Sequence, residues 1–371
     1  MEKINNPALT GRGMLFSKGD GLGLNTLEEC PEGRGIKPSP RIKTAIVGLG
    51  RIASLLEEDS RREKPCTHAG AITANTDCVL VAGCDTNEER CELFAERWKV
   101  AAYTDAEEMI RAQLPRILVI ATHPDSHYYY CRLAATCRVP VVICEKPLAD
   151  TLSAARKIAA MESRGLTIIT NHERRYSADY LAAKKILSSE KLGRVISVRA
   201  TLYMGQNKRL LDVFWHDGTH LADAIMFLTG SVLKHRKRWG AKLTAATGTA
   251  WLEGKLIQPK RAAGSKSVPV VMEVGAGRDH LVFEIEFSCA KGRLRIGNGV
   301  FEIWESGESP YAEKFSSLKR TSETFEGPTG YFANMIADAV SRAHEPGSEP
   351  VSSAATGLAV IEYLHSVKAW R

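Results

Sequence analysis

A lysine and a distant histidine are the side chains of this 371-residue sequence whose surroundings point most directly to chemistry. Lys146 lies between Glu145 and Pro147, directly after four apolar residues, Val141–Cys144, that are typical of a buried strand. Pro147 fixes its own φ and restricts the residue before it, so the lysine is held at a set angle. In a parallel sheet this strand end faces the ligand crevice. The alternative is a strand-end ion pair in which Glu145 points to solvent.

The histidine belongs to a predicted helix that starts at Gly218. Asp217, His220 and Asp223 follow one another at i,i+3 spacing, so they can share one face of its first turns. His216 and His220 are four residues apart, which permits metal binding, but no third ligand is evident nearby and we predict no metal. The alternative is an aspartate that caps the helix beside a histidine packed in the core.

A glycine-rich turn predicts a dinucleotide site. It follows the strand candidate Thr44–Val47 and has the G-x-G-x-x-A arrangement that precedes a helix. In that arrangement the first glycine allows a tight turn, the second lets a pyrophosphate approach the backbone, and the N-terminus of the helix supplies free N–H groups to the phosphates. The residues of this turn expected to contact the cofactor are Gly48, Gly50, Arg51, Ile52 and Ala53.

Further cofactor contacts are expected at three other strand ends. Asp85 ends the predicted strand Cys78–Cys84, where a carboxylate would accept hydrogen bonds from ribose hydroxyls and repel a 2′-phosphate, so the sequence favours NAD over NADP. The alternative is that Asp85 only caps the helix that starts near Asn87. The other expected contacts are Thr122, His123, Pro124 and His127, together with Glu145 and Lys146. The two histidines fit equally well as helix-start residues without a chemical role.

The order of the predicted elements suggests two folded domains. Strands and helices alternate between residues 42 and 165, which predicts a parallel sheet with helices on both faces. Runs of strands then suggest a separate, mostly antiparallel sheet. We therefore expect a flexible extension at 1–40, a dinucleotide-binding domain at 41–165 and a substrate-binding and oligomerisation domain at 166–371. The main strands predicted in the last domain are Val195–Leu202, Leu243–Trp251, Val268–Val274, Leu281–Ser288, Gly292–Ile296 and Val300–Trp304.

Composition argues against several other classes of protein. The net charge of +7 is spread along the chain apart from Lys234–Arg238, which we predict to be a solvated loop, and we expect no nucleic-acid partner because no aromatic residues accompany it. The nine cysteines form no C-x-x-C pair, which together with the missing secretion signal favours a reducing, cytoplasmic setting. No apolar run approaches the ~18 residues that a membrane span needs.

Together, these motifs resemble the glucose-fructose oxidoreductase/inositol dehydrogenase (Gfo/Idh/MocA) family. The segments that carry the resemblance are Gly48–Ala53, Asp85, Thr122–His127, Glu145–Pro147 and Asp217–Asp223 with Gly230. The resemblance implies an α/β fold: an N-terminal Rossmann domain, a C-terminal α+β domain with a large open-faced, mostly antiparallel sheet, and a nicotinamide cofactor at their junction. It also implies that Lys146 lies near the substrate hydroxyl and that His220 is the partner acid or base. Many members have an aspartate four residues before that histidine, whereas this chain has His216 there and Asp217 after it.

The expected function is an NAD(P)-dependent oxidoreductase that transfers a hydride between nicotinamide and a secondary alcohol or ketone of a sugar, cyclitol or related polyol. Lys146 would polarise the substrate oxygen and His220 would accept the hydroxyl proton, oriented by Asp217 or His216. Residues expected to line the substrate pocket are Arg174, Tyr203 and Trp215.

Two alternatives use the same nucleotide site differently. One is a non-catalytic dinucleotide-binding regulator, and the other is an NAD-dependent sugar hydrolase or epimerase that oxidises its substrate transiently. In either case an exposed sheet face is a liability unless it is covered, so we expect a homodimer or homotetramer that forms through the C-terminal sheet.

Overall fold

A six-stranded parallel sheet forms the first half of the fold. The structure is a computed structural model that describes residues 41–189, 191–205, 208–258, 267–345 and 347–369, so the predicted extension at 1–40 lies outside the described residues. The strands are β1 (Ile42–Val47), β2 (Cys78–Cys84), β3 (Ala101–Tyr103), β4 (Ile117–Ile120), β5 (Val141–Cys144) and β6 (Thr167–Thr170). Their spatial order is β3-β2-β1-β4-β5-β6, the strand order of a Rossmann fold.

Helices cover both faces of this sheet, which explains why β4, β5 and β6 are buried along their whole length. These helices are α1 (His68–Ala74), α2 (Glu88–Trp98), α3 (Ala106–Gln113), α4 (His127–Thr136) and α5 (Leu152–Glu162). The strand order reverses between β1 and β4, so a crevice forms beyond the carboxyl ends of these two strands. The predicted boundary at residue 165 is too early, because β6 pairs in parallel with β5 and completes this sheet.

The chain after the glycine turn differs from the prediction. No α-helix starts there; the chain makes turns and one 3₁₀ helix, Leu55–Glu58, before a loop leads to α1. The physical reason is the charged insertion, which folds back on itself: Glu57 accepts hydrogen bonds from the N–H of Cys66 and the hydroxyl of Thr67. The free N–H groups offered to a phosphate therefore belong to a turn, whereas a helix N-terminus was expected.

An eight-stranded sheet forms the second half. Its strands are β7 (Val195–Tyr203), β8 (Val232–Gly240), β9 (Gly248–Ile257), β10 (Val268–Ala276), β11 (Val282–Cys289), β12 (Gly292–Gly297), β13 (Val300–Glu308) and β14 (Ser316–Arg320). The spatial order is β14-β13-β12-β11-β7-β10-β9-β8, and all pairs are antiparallel except β7 with β10. The predicted combination of a Rossmann domain with a mostly antiparallel sheet domain is confirmed.

Helices pack on one face of this second sheet and also connect it to the first. They are α6 (Ala178–Ser188), α7 (Gly218–Thr229) and α9 (Ala354–Ala369), whereas a fourth helix, α8 (Tyr331–His344), packs on the first sheet. A π-helical turn, Val213–Asp217, leads directly into α7. Helix α8 belongs to the Rossmann core, where Phe332, Met335 and Ile336 are buried in one cluster with β1, β4 and β5.

Both edges of the second sheet were mispredicted. Lys234–Arg238 is not a loop but part of the edge strand β8, which pairs with β9. Charged residues are common on edge strands because they prevent further pairing, and this is why the segment resembled a solvated loop. The strand predicted from Leu243 begins only at Gly248, and the opposite edge strand, β14, was not predicted.

The described cysteines are all free thiols, and all of them are buried except the half-buried Cys137. Among the described residues, no helix is both long and apolar enough to cross a membrane.

Candidate active site

Two adjoining cavities, together called the cleft, lie along the carboxyl ends of the parallel strands and reach α7. Its first part, about 630 Å³, surrounds the glycine turn and Asp85, and its second part, about 530 Å³, surrounds Lys146 and His220. The residues that line both parts are Arg51, Ile52, Ala121, Thr122 and His123. The structure therefore brings the predicted nucleotide turn and the predicted reactive pair to one cleft.

The two glycines of the turn have different roles. Gly48 adopts a φ of +87°, and a Cβ there would lie 2.7 Å from the backbone carbon of Ala121. Only glycine fits such a turn without strain. A Cβ on Gly50, in contrast, would meet no atom within 4 Å, so this position borders open space in the cleft. That space is where the backbone can be approached closely by a ligand.

Asp85 lies at the end of β2 and is almost fully buried. Its carboxylate accepts hydrogen bonds from the N–H of Leu49, at 2.8 Å, and from the N–H of Asn87, at 3.0 Å. The cap of α2 is Asn87, so the alternative that Asp85 caps this helix is wrong. Asp85 instead ties the glycine turn to β2 and also lines the cleft, with an Arg90 nitrogen 3.5 Å away.

The turn after β4 contributes wall residues and one buried histidine. Thr122, His123 and Pro124 line the cleft beside Lys146, as expected. His127 does not, because its ring is fully buried with its nitrogens 3.1 Å from the carbonyl oxygen of Thr122 and 3.2 Å from that of Leu148. Burial lowers the pKa of His127, so the ring is neutral near pH 7 and holds the backbone of the turn. The expected cofactor contact of His127 is therefore wrong.

The lysine reaches across the cleft. Lys146 Nζ donates a hydrogen bond to the carbonyl oxygen of His216, at 3.0 Å, and so connects the end of β5 to the π-helical turn before α7. The ammonium group lies in the second part of the cleft, beside His220. It is thus positioned by a backbone carbonyl, without a carboxylate partner among the described residues.

Glu145 is buried and does not point to solvent. It accepts hydrogen bonds from Asn171 Nδ2, at 2.5 Å, and lies 2.7 Å from Nε2 of the fully buried His68. Although burial alone would raise the pKa of Glu145, these contacts with His68 and Asn171 hold it below its ordinary value. The carboxylate therefore fixes the strand end that carries Lys146.

His220 lies at the wall of the cleft with one carboxylate beside it. Its Nδ1 is buried and lies 3.3 Å from Oε2 of Glu173, but this contact is not aligned as a hydrogen bond. Burial and the positive charge of Lys146 lower the pKa of His220 well below its ordinary value, so the ring is neutral near pH 7. Burial raises the pKa of Glu173, and the charges of Arg174 and Lys146 oppose this.

In the structure, the three residues expected near His220, which are His216, Asp217 and Asp223, have different surroundings. His216 and Asp217 line the cleft, but the side chain of Asp217 pairs with Lys208 Nζ at 2.9 Å. Asp223 lies outside the cleft, where it is buried and accepts two-pronged hydrogen bonds from Arg175 at 2.8–3.0 Å. The helical spacing placed these residues on neighbouring turns but did not indicate which side faces the core.

The three residues predicted to line the substrate pocket are not among those that line the cleft. The guanidinium of Arg174 lies over the ring of Phe283, 3.9 Å from its centroid. Tyr203 follows the buried Leu202 on β7, so it points to the open face of the sheet, where its hydroxyl bonds to Glu273. Trp215 packs against α9, with its ring centroid 5.4 Å from that of His365.

Several residues of the cleft were not predicted. Leu56 and Arg62 come from the charged insertion, Asn171 and Glu173 follow β6, and Tyr331 and Phe332 begin α8. The insertion is fastened to α8, because the carboxylate of Glu63 accepts hydrogen bonds from the N–H groups of Thr329 and Gly330. Asn171 and Glu173 could have been predicted, because they belong to a polar cluster that follows a buried strand. The local sequence gives no such indication for the residues of the insertion and of α8.

No group of three or more histidine, cysteine or acidic side chains is arranged to hold a metal ion in the part of the chain that the structure describes.

The strand order and the glycine turn define an α/β protein of the dinucleotide-binding class. Residues 42–172 match the family model described as "Oxidoreductase family, NAD-binding Rossmann fold" (GFO_IDH_MocA). Over this segment the chain is similar to that family. The predicted resemblance is confirmed, and NAD, the predicted cofactor, agrees with the family's description.

Individual relatives show the same similarity. The chain is 31% identical over 135 residues to "Uncharacterized oxidoreductase YhhX" of Escherichia coli, a match that covers 34% of this chain and 39% of the relative. It is 26% identical over 345 residues to "Inositol 2-dehydrogenase" of Streptomyces avermitilis, covering 83% and 94%. Across four curated relatives, YhhX included, the chain spans only 39% to 50% of their length.

A solved structure has the same fold over most of the chain. The UDP-N-acetylglucosamine 3-dehydrogenase GnnA from Acidithiobacillus ferrooxidans superimposes with a TM-score of 0.67 at 17% identity, covering 88% of this chain and 96% of that one. At this identity the likeness concerns the fold alone.

Proposed function

We propose that the chain is an NAD-dependent oxidoreductase that interconverts a secondary alcohol and a ketone on a sugar, cyclitol or related polyol. The observation that carries the proposal is the shared wall of the cleft: the glycine turn borders its first part, the Lys146–His220 pair borders its second part, and five residues line both. A dinucleotide that lay along the turn would reach the lysine and histidine with its far end.

The chain's own residues fit such a cofactor. The open space at Gly50 and the backbone N–H groups of the turn suit a pyrophosphate. Asp85 uses one hydrogen bond at each carboxylate oxygen, which leaves acceptor capacity for ribose hydroxyls. Its charge would disfavour a 2′-phosphate, and this supports NAD over NADP, although the Arg90 nearby partly offsets the charge.

The bound nicotinamide would supply hydride acceptance, and the protein would supply the proton transfer. Lys146 would donate a hydrogen bond to the substrate oxygen and stabilise negative charge on it as the proton leaves. His220 is neutral near pH 7 and lies beside the lysine in the cleft, so it is the group suited to accept that proton.

The charges of the cleft favour a neutral substrate. Three cationic residues (Arg51, Arg62, Lys146) and three acidic residues (Glu145, Glu173, Asp217) line its second part, so the charges balance. The two arginines after β6 cannot assist an anionic group, because Arg174 is held against Glu173 and Arg175 against Asp223. The relatives named above act, by their names, on inositol and on a nucleotide sugar; of these, the balance of charge favours inositol-like polyols.

The test is NADH formation at 340 nm with a panel of neutral polyols and aldoses, including myo-inositol. Lys146→Ala and His220→Ala are each expected to lower kcat by at least 100-fold, in line with the loss of a general acid–base group. Lys157→Ala, which removes a lysine outside this cleft, is the matched control. Full turnover in both active-site variants would refute the mechanism. Binding of NAD without reduction by any substrate would favour the regulator, and product formation without net NADH would favour transient oxidation.

We also propose that the second sheet forms a homodimer or homotetramer. Its open face carries cross-strand ion pairs such as Arg293–Glu286 and Arg320–Glu302, so an interface there would be polar. Light scattering at micromolar concentration tests this, and a monomer at low salt would contradict it.

A further inference from the structure

Glu173 stands beside the buried ring nitrogen of His220. Its Oε2 lies 3.3 Å from Nδ1, and its Oε1 accepts a hydrogen bond from Arg174 at 2.9 Å. Nδ1 of His220 has no hydrogen-bond partner among the described residues, so the pair is close but not yet aligned. Catalytic hydrogen bonds are often long in ligand-free structures and tighten when the substrate is bound.

The two residues that the sequence offered as orienting groups do not reach this nitrogen. Asp217 is held by Lys208, and His216 contributes its carbonyl oxygen to Lys146 and to the hydroxyl of Thr219. Within the described part of the chain, Glu173 is the only residue whose carboxylate lies within 4.0 Å of the His220 ring. Where many members of the resembled family have an aspartate, four residues before the histidine, this chain has His216. The carboxylate near His220 comes instead from Glu173, on the segment after β6.

We infer that Glu173 orients His220 and selects its tautomer, in place of an aspartate four residues before the histidine. This rests on the proposed function, in which His220 accepts the substrate proton. A carboxylate at Nδ1 keeps the hydrogen of the neutral ring on that nitrogen, so the lone pair of Nε2 faces the cleft. When Nε2 takes the hydroxyl proton, the imidazolium that forms is stabilised by the carboxylate. Glu173 is thus a positioning residue that does not itself lose or gain the proton.

Two cationic groups, Arg174 on its own segment and Lys146 from the end of β5, favour the ionised form of Glu173. Burial, the largest influence, raises the pKa of Glu173, and the charge of Glu145 adds to this. Around His220 the facing groups are Lys146, Arg174 and His172, all of which disfavour a permanently protonated ring. Glu173 is the group beside Nδ1 that can hold its hydrogen.

The decisive experiment reads the tautomer directly, without substrate or cofactor. Two-bond ¹H–¹⁵N correlation spectra of protein labelled at the histidine imidazoles distinguish a protonated Nδ1 from a protonated Nε2, and His220→Gln assigns the signal. The spectra are recorded near pH 7.5 for the wild type and for Glu173→Gln, Glu173→Leu and Asp217→Asn. The glutamine variant keeps nearly the same shape but removes the charge, and Asp217→Asn, the control, removes a similar charge from the same cleft.

The wild type and Asp217→Asn are expected to show the Nδ1–H tautomer, and Glu173→Leu is expected to lose it in favour of a mixture. With an active substrate, Glu173→Leu should lower kcat by roughly 100-fold or more with KM changed less than about threefold, and Glu173→Gln should also lower kcat because it removes the charge that stabilises the imidazolium. An unchanged tautomer in Glu173→Leu, or the same loss in Asp217→Asn, would overturn the inference. Absence of any dinucleotide reduction would instead remove the proposed function and leave the spectra to decide the role of Glu173.

Discussion

The two glycines of the nucleotide turn allow a test that separates folding from binding. A methyl group on Gly50 would meet nothing within 4 Å, and its φ lies outside the left-handed region, so Gly50→Ala should change the free energy of unfolding by no more than about 1 kcal/mol. The same methyl would occupy the space in which a pyrophosphate approaches the backbone. We therefore expect this variant to fold normally and to lose dinucleotide affinity.

The size of the effect follows from ligand linkage. NAD at 100 times its Kd stabilises the wild type by about 2.7 kcal/mol, which raises Tm by roughly 3–4 °C for a protein of 371 residues. Gly50→Ala should lose most of this increase while its Tm without NAD stays near that of the wild type. The assay is thermal unfolding followed by fluorescence, with and without NAD, supported by titration calorimetry.

Gly48→Ala is the matched comparison. Its Cβ would lie 2.7 Å from the Ala121 carbonyl carbon at a φ of +87°, so the backbone strain alone should cost about 1–3 kcal/mol without any ligand. Gly48→Ala should therefore lower Tm in the absence of NAD, which Gly50→Ala should not. A Gly50→Ala protein that retains the full NAD-dependent rise in Tm would refute the placement of the cofactor along this turn.

Three further predictions follow from contacts around the cleft. Asp223→Ala should lower the free energy of unfolding in urea by about 3–5 kcal/mol, because it leaves the buried Arg175 unpaired, whereas Asp212→Ala at the exposed Arg209 pair should cost less than about 1 kcal/mol. Glu63→Ala should lower the free energy of unfolding by about 1–3 kcal/mol and speed proteolysis of the insertion. Because the pKa of Glu63 is lowered in the folded protein, this difference from the wild type should be present above pH 4.5 and disappear as the pH falls below it. Asp85→Ser should raise the ratio of NADP to NAD affinity about tenfold, measured by fluorescence titration; an unchanged ratio would refute the role assigned to this carboxylate.

The predictable parts of the site are those in which a few consecutive residues determine both the reactive side chain and the local backbone conformation. The glycine turn, Lys146 before its proline, and His220 one turn into α7 all lie in the cleft. Each of these lies at or near the end of a strand or helix. The hydrophobic pattern of that element predicts where it begins or ends, and therefore roughly where the residue lies. Asp85 followed the same logic at the end of β2.

The errors came from side-chain direction, which depends on packing. Tyr203 lies on β7 as expected, yet the register of the strand turns it to the open face. Trp215 lies in a π-helical turn, where the ordinary 3.6-residue period does not hold, and it packs against α9. Arg174 was predicted to line the substrate pocket, but Glu173 beside it and Phe283 on the second sheet hold it. Sequence patterns identify such elements without indicating which neighbour each side chain will meet.

The far wall of the cleft depends on contacts over long sequence separations. Tyr331 and Phe332 lie more than 180 residues after Lys146, yet α8 packs its apolar face into the Rossmann core, and this places both residues at the cleft. Glu63 then fastens the insertion to the two residues that directly precede the same helix. Because both residues belong to one buried helix, a change in the packing of α8 would move them relative to Lys146 and His220. The shape of this part of the cleft therefore depends on core packing as well as on the residues that line it.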